Sequence, residues 1–250
     1  EPEANVAGVA LLALMQNAAL NFGFEVDIEK GLMPGSGIGS SAASSCGAVV
    51  AANHLLDGRF SKKELAEFAI AGERLASGAL HADNVAPCIF GGFTLVRSIE
   101  PLDIVQLEFT SLYATVIHPQ IQIVTADARA ILPEQVPLRD AIRQWANLGA
   151  FVAALSAGDH SLLARSMEDL IIEPVRKSLI PKFDEIKAGS LEAGAIGGGI
   201  SGSGPSIFML SETRELASKI ATEMRRVFEP TGIEFKIYSS EISSAGVRVL

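Results

Sequence analysis

Cysteine, basic residues and long apolar runs are all scarce in this chain, and each scarcity closes a route. Only two cysteines occur, Cys46 and Cys88. They stand in small-residue and apolar surroundings, with no CxxC pair and no histidine cluster beside them. Neither a disulfide framework nor a thiolate metal site is expected, and they read as reduced, buried thiols. Lysine and arginine total 20 against 29 acidic residues, a net charge of −9. A nucleic-acid or membrane surface needs a basic face, so partners of that kind are excluded and an anionic ligand has to be held locally. The longest apolar stretch, Val6 to Met15, is too short to span a bilayer, and no basic n-region of a secretory signal precedes it. A soluble, cytoplasmic protein is expected. With 48% hydrophobic residues over 250 positions, the chain can bury a substantial core in one large domain or two small ones.

What the chain does have is glycine and serine in an informative place. Pro34-Gly-Ser-Gly-Ile-Gly-Ser-Ser-Ala-Ala-Ser44 fills the gap between an alternating run at 22–28 and a helix-like run that stops at Asp57-Gly58. Phe22, Phe24, Val26 and Ile28 alternate with Gly23, Glu25 and Asp27, which predicts a one-sided strand. Ala42, Ala43, Cys46, Val49, Val50 and Asn53 share one helical face. Glycine lets backbone N–H groups approach an anion, and a following helix N-terminus adds partial positive charge, so the composition is that of a phosphate cradle. It is no Walker A loop, because Gly39 is followed by Ser40 and Ser41, and the one nearby lysine, Lys30, precedes it. Gly37-Ile-Gly39-Ser-Ser-Ala42 meets the loose dinucleotide pattern, but that site follows a continuously apolar parallel strand, whereas 22–28 alternates. A flexible linker or a tight helix-packing contact is the plain alternative.

The remaining elements follow from pattern. A helix is expected at 5–20, and Ser61 with Glu64 forms a capping box ahead of Leu65, Phe68, Ala69 and Gly72 at helical spacing. Strands are expected at 93–99, 104–109 and 113–117. Helices then dominate, at 125–132, 138–156, 159–171, 181–192 and 212–228, with late strands at 206–210 and 233–238. The change in character near Ser111 marks a domain boundary.

A nucleoside triphosphate needs a divalent cation with hard oxygen ligands. Ser41 at the helix entrance offers one, and Glu73, at the edge of the apolar face of its helix, offers another, although for a lone helical glutamate a boundary salt bridge or solvated flank is the favoured reading. Arg74 points to solvent. His81-Ala-Asp83-Asn84-Val-Ala-Pro87 gathers imidazole, carboxylate and amide in four positions, as site-lining loops do, though an Asx-turn before a buried strand would look the same. Gly197-Gly-Gly-Ile-Ser-Gly-Ser-Gly204-Pro205 is a second glycine-serine tract, able to brace the first or simply to turn. Arg129 and Arg176 are candidates for fork-like carboxylate binding.

Taken together, these motifs resemble a known family. Pro34-x3-Ile-Gly-Ser-Ser-Ala-Ala looks like the phosphate loop of the GHMP kinases. His81-Ala-Asp-Asn84-Val-Ala-Pro87, Thr125-Ala-Asp-Ala-Arg129-Ala-Ile-Leu-Pro133, Glu173-Pro-Val-Arg176 and Gly199-Ile-Ser-Gly-Ser-Gly-Pro205, in this order, resemble the homoserine kinases within that superfamily. The resemblance implies an α+β, two-domain fold. A ribosomal-protein-S5-like ATP-binding domain would occupy 1–110 with its front strands missing, and a ferredoxin-like domain would occupy 111–250. It implies ATP and Mg2+, L-homoserine as substrate, and a homodimer as a further expectation. Pro34, Gly35, Ser36, Gly37, Ile38, Gly39, Ser40, Ser41, Ala42, Ala43 and Ser44 would hold the phosphates, with Asn5 at the adenine. Ser41 and Glu73 would bind magnesium. Asn84 would face the substrate hydroxyl with His81 and Asp83 near it, Arg129 and Arg176 would grip the carboxylate, and Gly202 would shape the pocket. Mevalonate-type relatives carry an aspartate base where Asn84 stands, and an amide takes no proton at neutral pH, so a mechanism without a strong general base is expected. The front strands of the family, with a Ser-Ser-Ala-Asn-like segment and a following aspartate, have no counterpart here, so the chain is read as starting some tens of residues into the family's pattern. Another GHMP kinase, a catalytically silent nucleotide-binding regulator on the same fold and a nicotinamide enzyme are the alternatives.

Overall fold

The computed structural model describes the chain except residues 78–79, 124–127 and 129, and describes only the backbone of 76 and 77. It forms two compact units. One comprises Glu1–Pro34, Gly39–Leu107 and Ser243–Leu250, the other Gly35–Ile38 and Glu108–Ile242.

In the first unit three helices pack together, α1 (Val6–Ala18), α2 (Ser40–Leu55) and α3 (Lys62–Ser77). Asn5 opens α1 by accepting from the Ala7 N–H at 2.9 Å. The capping box ahead of α3 is formed, with Ser61 N and Oγ donating to Glu64 Oε2 at 2.8 and 2.7 Å. The core is made of small and medium residues such as Ala10, Leu14, Cys46, Val49, Ala66 and Ala69. Small residues allow close approach: a side chain at Gly72 would collide with the Val6 carbonyl and stand 2.7 Å from Ser45 Oγ. That closeness is what lowers the next residue, Glu73, into the packed interior. A short helix, α4 (Val85–Phe90), leads into the antiparallel hairpin β1 (Phe93–Ile99) and β2 (Leu102–Leu107). Cys46 and Cys88 face each other from α2 and α4 as free thiols. The hydrogen bond between them, followed by burial, pushes Cys46 well above the usual thiol range.

The strand expected at 22–28 does not form. Its alternation satisfies the side-chain rule for a strand, but a strand exists only where a neighbour completes the hydrogen-bond ladder, and none among the described residues pairs with it. Phe22, Val26 and Ile28 remain 50%, 43% and 41% exposed. Segment 22–28 therefore says nothing against a dinucleotide site.

The second unit holds β3 (Tyr113–Pro119), the helices α5 (Leu138–Ala157), α6 (His160–Ser166), α7 (Glu173–Arg176) and α8 (Phe183–Glu192), then β4 (Gly197–Ile200), β5 (Ile207–Ser211), α9 (Arg214–Phe228) and β6 (Phe235–Glu241). Its sheet runs β4-β5-β3-β6 with every pair antiparallel. With β3 counted first, that is the 4-1-3-2 order of a ferredoxin-like sheet read from the other edge. Ile117, Ile207 and Met209 of the sheet meet Phe183 and Ile186 of α8 and Ile220, Met224 and Phe228 of α9 in one core.

Two differences from the sequence reading have local causes. The helix expected at 159–171 ends at Ser166, because Asp169 turns its carboxylate onto the N–H groups of Ile171, Ile172 and Glu173 and starts a new turn there. The second glycine tract begins as an edge strand. A Cβ at Gly198 would collide with the Phe208 carbonyl and stand 2.5 Å from Met209 Sδ, so the glycines are what let β4 approach β5. The helix expected at 125–132 falls largely outside the described residues.

Candidate active site

In the first unit the site is built at the N-terminus of α2. Gly39 is the N-cap, at φ +76°, and no side chain caps the helix. The leading N–H groups of α2 are therefore left to an outside acceptor, with the positive end of the helix behind them. Gly39 also keeps the approach open, since a Cβ there would stand 3.5 Å from Asn84 Oδ1. Ser40 donates to the Leu32 carbonyl at 3.0 Å, and Ser44, one turn on, donates back to the Ser40 carbonyl at 3.2 Å. Ala42 is buried and Ala43 exposed on the same turn.

Ser41 Oγ is buried and makes no hydrogen bond of good geometry, although it lies near enough to the Glu73 carboxylate to favour its charge. Glu73 is 8% exposed. Burial pushes its carboxyl above the usual carboxylate range and Asp83 adds to this, while the Ser41 hydroxyl, His81 and Lys30 act the other way. Ser41, Glu73, His81, Asp83, Asn84 and Gly39 are thus brought to one place. Lys30 joins them electrostatically and was not assigned a role by the motifs; its only signal was a basic charge beside the tract. Asn84, the N-cap of α4, is exposed and makes no side-chain capping bond. Asn5 begins α1, its Oδ1 engaged in capping.

In the second unit, Gly35–Ile38, from the first glycine-serine tract, is strapped to the second tract. Ser201 Oγ donates to the Gly37 carbonyl at 2.7 Å, and Ser206 Oγ donates to the Ser36 carbonyl at 2.6 Å. A Cβ at Gly37 would meet the carbonyls of Ser201 at 2.5 Å and Gly204 at 2.7 Å. His118 stands behind this strap, 3% exposed, with Nδ1 at 3.1 Å from Ser206 Oγ. Ser206 has one proton and gives it to Ser36, so His118 must carry its proton on Nδ1 and donate to Ser206. Burial, then Lys236, push His118 below the usual imidazole range and keep it neutral. Sequence reasoning passed over His118, which had no motif around it. Pro34 closes the first unit's segment just before this stretch.

Arg176, at the end of α7, donates from Nε to the Ala128 carbonyl at 2.9 Å and from Nη1 to the Gly202 carbonyl at 3.3 Å. Gly202 sits at φ +59°. Glu173 opens the same turn and accepts from Lys187 at 2.5 Å, both side chains largely buried. Arg129 lies outside the described residues. Among the described residues no cluster of three or more histidine, cysteine or carboxylate side chains could hold a metal. No helix among them is long and apolar enough to cross a membrane.

Known proteins resemble this chain along its whole length. The GHMP kinases N terminal domain matches residues 5–92, and the GHMP kinases C terminal domain matches 130–230. A homoserine kinase of Chloroherpeton thalassium is 40% identical over 258 residues, covering 100% of this chain and 81% of its own length. One from Xylella fastidiosa is 38% identical, covering 77% of its length. The crystal structure of a homoserine kinase from Cytophaga hutchinsonii superposes with a TM-score of 0.95 at 47% identity, over 98% of this chain and 78% of that one. A mevalonate kinase of L. major shares the fold at 19% identity and a TM-score of 0.69. On this evidence the chain belongs to the GHMP kinase superfamily and, within it, to the homoserine kinase family.

Proposed function

We propose that this chain transfers the γ-phosphoryl group of ATP to the side-chain hydroxyl of L-homoserine, giving O-phospho-L-homoserine on the way to threonine. The observation that carries the reading is the convergence of Ser41, Glu73 and Asn84 on the uncapped start of α2, in a chain whose relatives at about 40% identity bear the homoserine kinase name. The tract 34–44 holds the phosphates through backbone N–H groups and the helix dipole. The donors suit magnesium. A buried hydroxyl without a well-formed hydrogen bond and a buried carboxylate beside it are hard oxygen ligands, which Ser41 and Glu73 supply. When bound, the cation neutralises the phosphate oxygens.

Asn84 orients the substrate hydroxyl in line, with His81 and Asp83 beside it. Being an amide, it does not take the proton, which passes to a phosphate oxygen or water. Arg176, fixed through Ala128 and Gly202, and Arg129 hold the substrate carboxylate. Asn5 takes the adenine position. In this reading residues 1–110 form the ATP-binding domain and 111–250 the C-terminal domain, and the protein works in the cytoplasm as a homodimer. Asn84→Ala should lower turnover about 100-fold through lost positioning while changing ATP affinity far less; unchanged turnover would remove Asn84 from the mechanism. The assignment is tested by ADP release with homoserine, mevalonate, galactose and serine offered separately. Absence of a preference for homoserine sinks it, and ATP binding with no ADP release from any of them marks a nucleotide-binding regulator instead.

A further inference from the structure

His118 is a buried titratable side chain that the proposed reaction leaves unused. It stands near the end of β3, where Ile117 pairs with Ile207 of β5 and His118 itself with Lys236 of β6. Ser206, one residue ahead of β5, is fully buried. Its hydroxyl lies between the Ser36 carbonyl at 2.6 Å and His118 Nδ1 at 3.1 Å. A carbonyl oxygen can only accept, so the one hydroxyl proton goes to Ser36, and Nδ1 has to bring a proton of its own. A free histidine side chain favours the proton on Nε2. The protein thus holds His118 in the less favoured tautomer, and the hydrogen bond to Ser206 is what sets it.

The relay continues into the backbone. The Ser36–Gly37 peptide is trans, so a carbonyl turned toward Ser206 turns the Gly37 N–H the opposite way. The next peptide is held in the same sense, with Ser201 Oγ donating to the Gly37 carbonyl at 2.7 Å. Among the described residues no acceptor meets the Gly37 N–H, whereas the Ile38 N–H has Ser36 Oγ at 3.5 Å. Imidazole N–H, hydroxyl, carbonyl and amide N–H therefore stand in one line of hydrogen bonds, in which each bond polarises the next. We infer that His118 is a positioning residue of the phosphate tract: its Nδ1–H fixes the rotatable Ser206 hydroxyl on Ser36, which aims the Gly37 N–H at an ATP phosphate oxygen. Were the hydroxyl turned to a bare Nδ1 instead, the Ser36 carbonyl would lose its donor inside the protein, and nothing would hold that peptide plane.

This inference deepens the proposed function and rests on its reading of the tract as the phosphate site. Long-range 1H–15N correlation spectra of the imidazole rings at neutral pH report the tautomer, with the His118 signals identified by their loss in His118→Asn. The expected pattern is a protonated Nδ1 and a bare Nε2. ATP binding is then measured by calorimetry with Mg2+ and no homoserine, beside steady-state rates with homoserine. His118→Leu fills the space but donates nothing, so it should weaken ATP binding and raise the KM for ATP about tenfold, while kcat at saturating ATP falls less. In His118→Asn the side-chain N–H reaches the place of Nδ1–H and should recover most of that loss. In His118→Gln it reaches the place of Nε2 and should not, a comparison that decides the matter even if the leucine variant fails to fold. An ATP-binding wild type with its proton on Nε2 overturns the inference and leaves the proposed function standing. So does ATP affinity that no substitution moves, or that asparagine and glutamine lower equally. A wild-type chain that binds no ATP overturns the proposed function, and the inference with it.

Discussion

Gly35-Ser-Gly-Ile-Gly-Ser-Ser41 and Gly197-Gly-Gly-Ile-Ser-Gly-Ser-Gly204 share a composition, yet their glycines are required for different reasons. In the first tract Gly35, Gly37 and Gly39 all take positive φ, between 74° and 76°, and bring the chain to an uncapped helix start. In the second, Gly197, Gly198 and Gly199 are strand residues, and what matters there is the absence of a side chain against Met167, Phe208 and Glu173. The first region brings an uncapped helix start that a ligand can complete, and in the second the strand glycines give room to neighbouring side chains and backbone. The two buried glutamates differ in what favours their charge. Burial raises both and each has an acidic neighbour, Asp169 or Asp83, but at Glu173 the strongest opposing influence is a direct ion pair with Lys187 at 2.5 Å, whereas at Glu73 it is the Ser41 hydroxyl, ahead of His81 and Lys30. Groups held at a local cost are what a binding site contains; groups matched in place are what a scaffold contains.

The sharpest way to break this contrast is Glu73→Gln. If the carboxylate serves the reaction, turnover falls by about 10²–10³-fold, the usual loss on removing one electrostatic group from a phosphoryl or acyl site. Stability moves oppositely. Because the native carboxyl titrates above its unfolded value, the native chain keeps a proton that the unfolded chain has already lost. Wild-type stability therefore falls as pH rises from the ordinary carboxyl range through the raised native value, and stays lower above it. Glutamine removes that dependence, so the variant should melt higher than wild type near neutral pH without ligand. A variant that is both less active and less stable would place Glu73 in the scaffold instead.

Next in size is Gly198→Ala. A methyl group there meets the Phe208 backbone, so urea unfolding should show a loss of about 1–3 kcal/mol, or a chain that does not fold. Full retention of stability would mean that β4 can shift away from β5.

Ser206→Ala removes the donor to the Ser36 carbonyl and the acceptor for His118 together, leaving two buried polar groups exposed to neither partner nor water. About 1–2 kcal/mol of stability should be lost, accompanied by weaker ATP binding, since this strap holds the first half of the phosphate tract. Stability lost with ATP affinity intact would separate the strap from the phosphate site. The smallest effect is expected at Gly47 in α2. A Cβ there meets nothing within 4 Å, so Gly47→Ala should stabilise the chain by about 0.5–1 kcal/mol, measurable as a raised melting temperature.

How far the site was legible varied residue by residue. Ser61 and Glu64 form the capping box their spacing implies, and α2 starts within the glycine tract, because caps and helix starts depend on neighbours a few positions away. Glu73 was placed on the rim of its helix by the helical wheel. Its near-complete burial depends on Gly72 meeting Val6 and Ser45, contacts from two other helices that no local pattern encodes. The alternation at 22–28 misled for the same reason: period two describes one side of a strand, and the ladder belongs to its partner.

By itself, then, the sequence determined the glycine-serine tract, the helix that follows it, the order of the family's motifs and the amide at Asn84, all properties of residue type and short spacing. Tertiary structure alone decided that Glu73 is buried beside Ser41 and Asp83, that Ser201, Ser206 and a neutral His118 hold the tract's first half, and that three glycines form a strand. Desolvation, hydrogen-bond closure and steric room are set by groups brought together from distant parts of the chain.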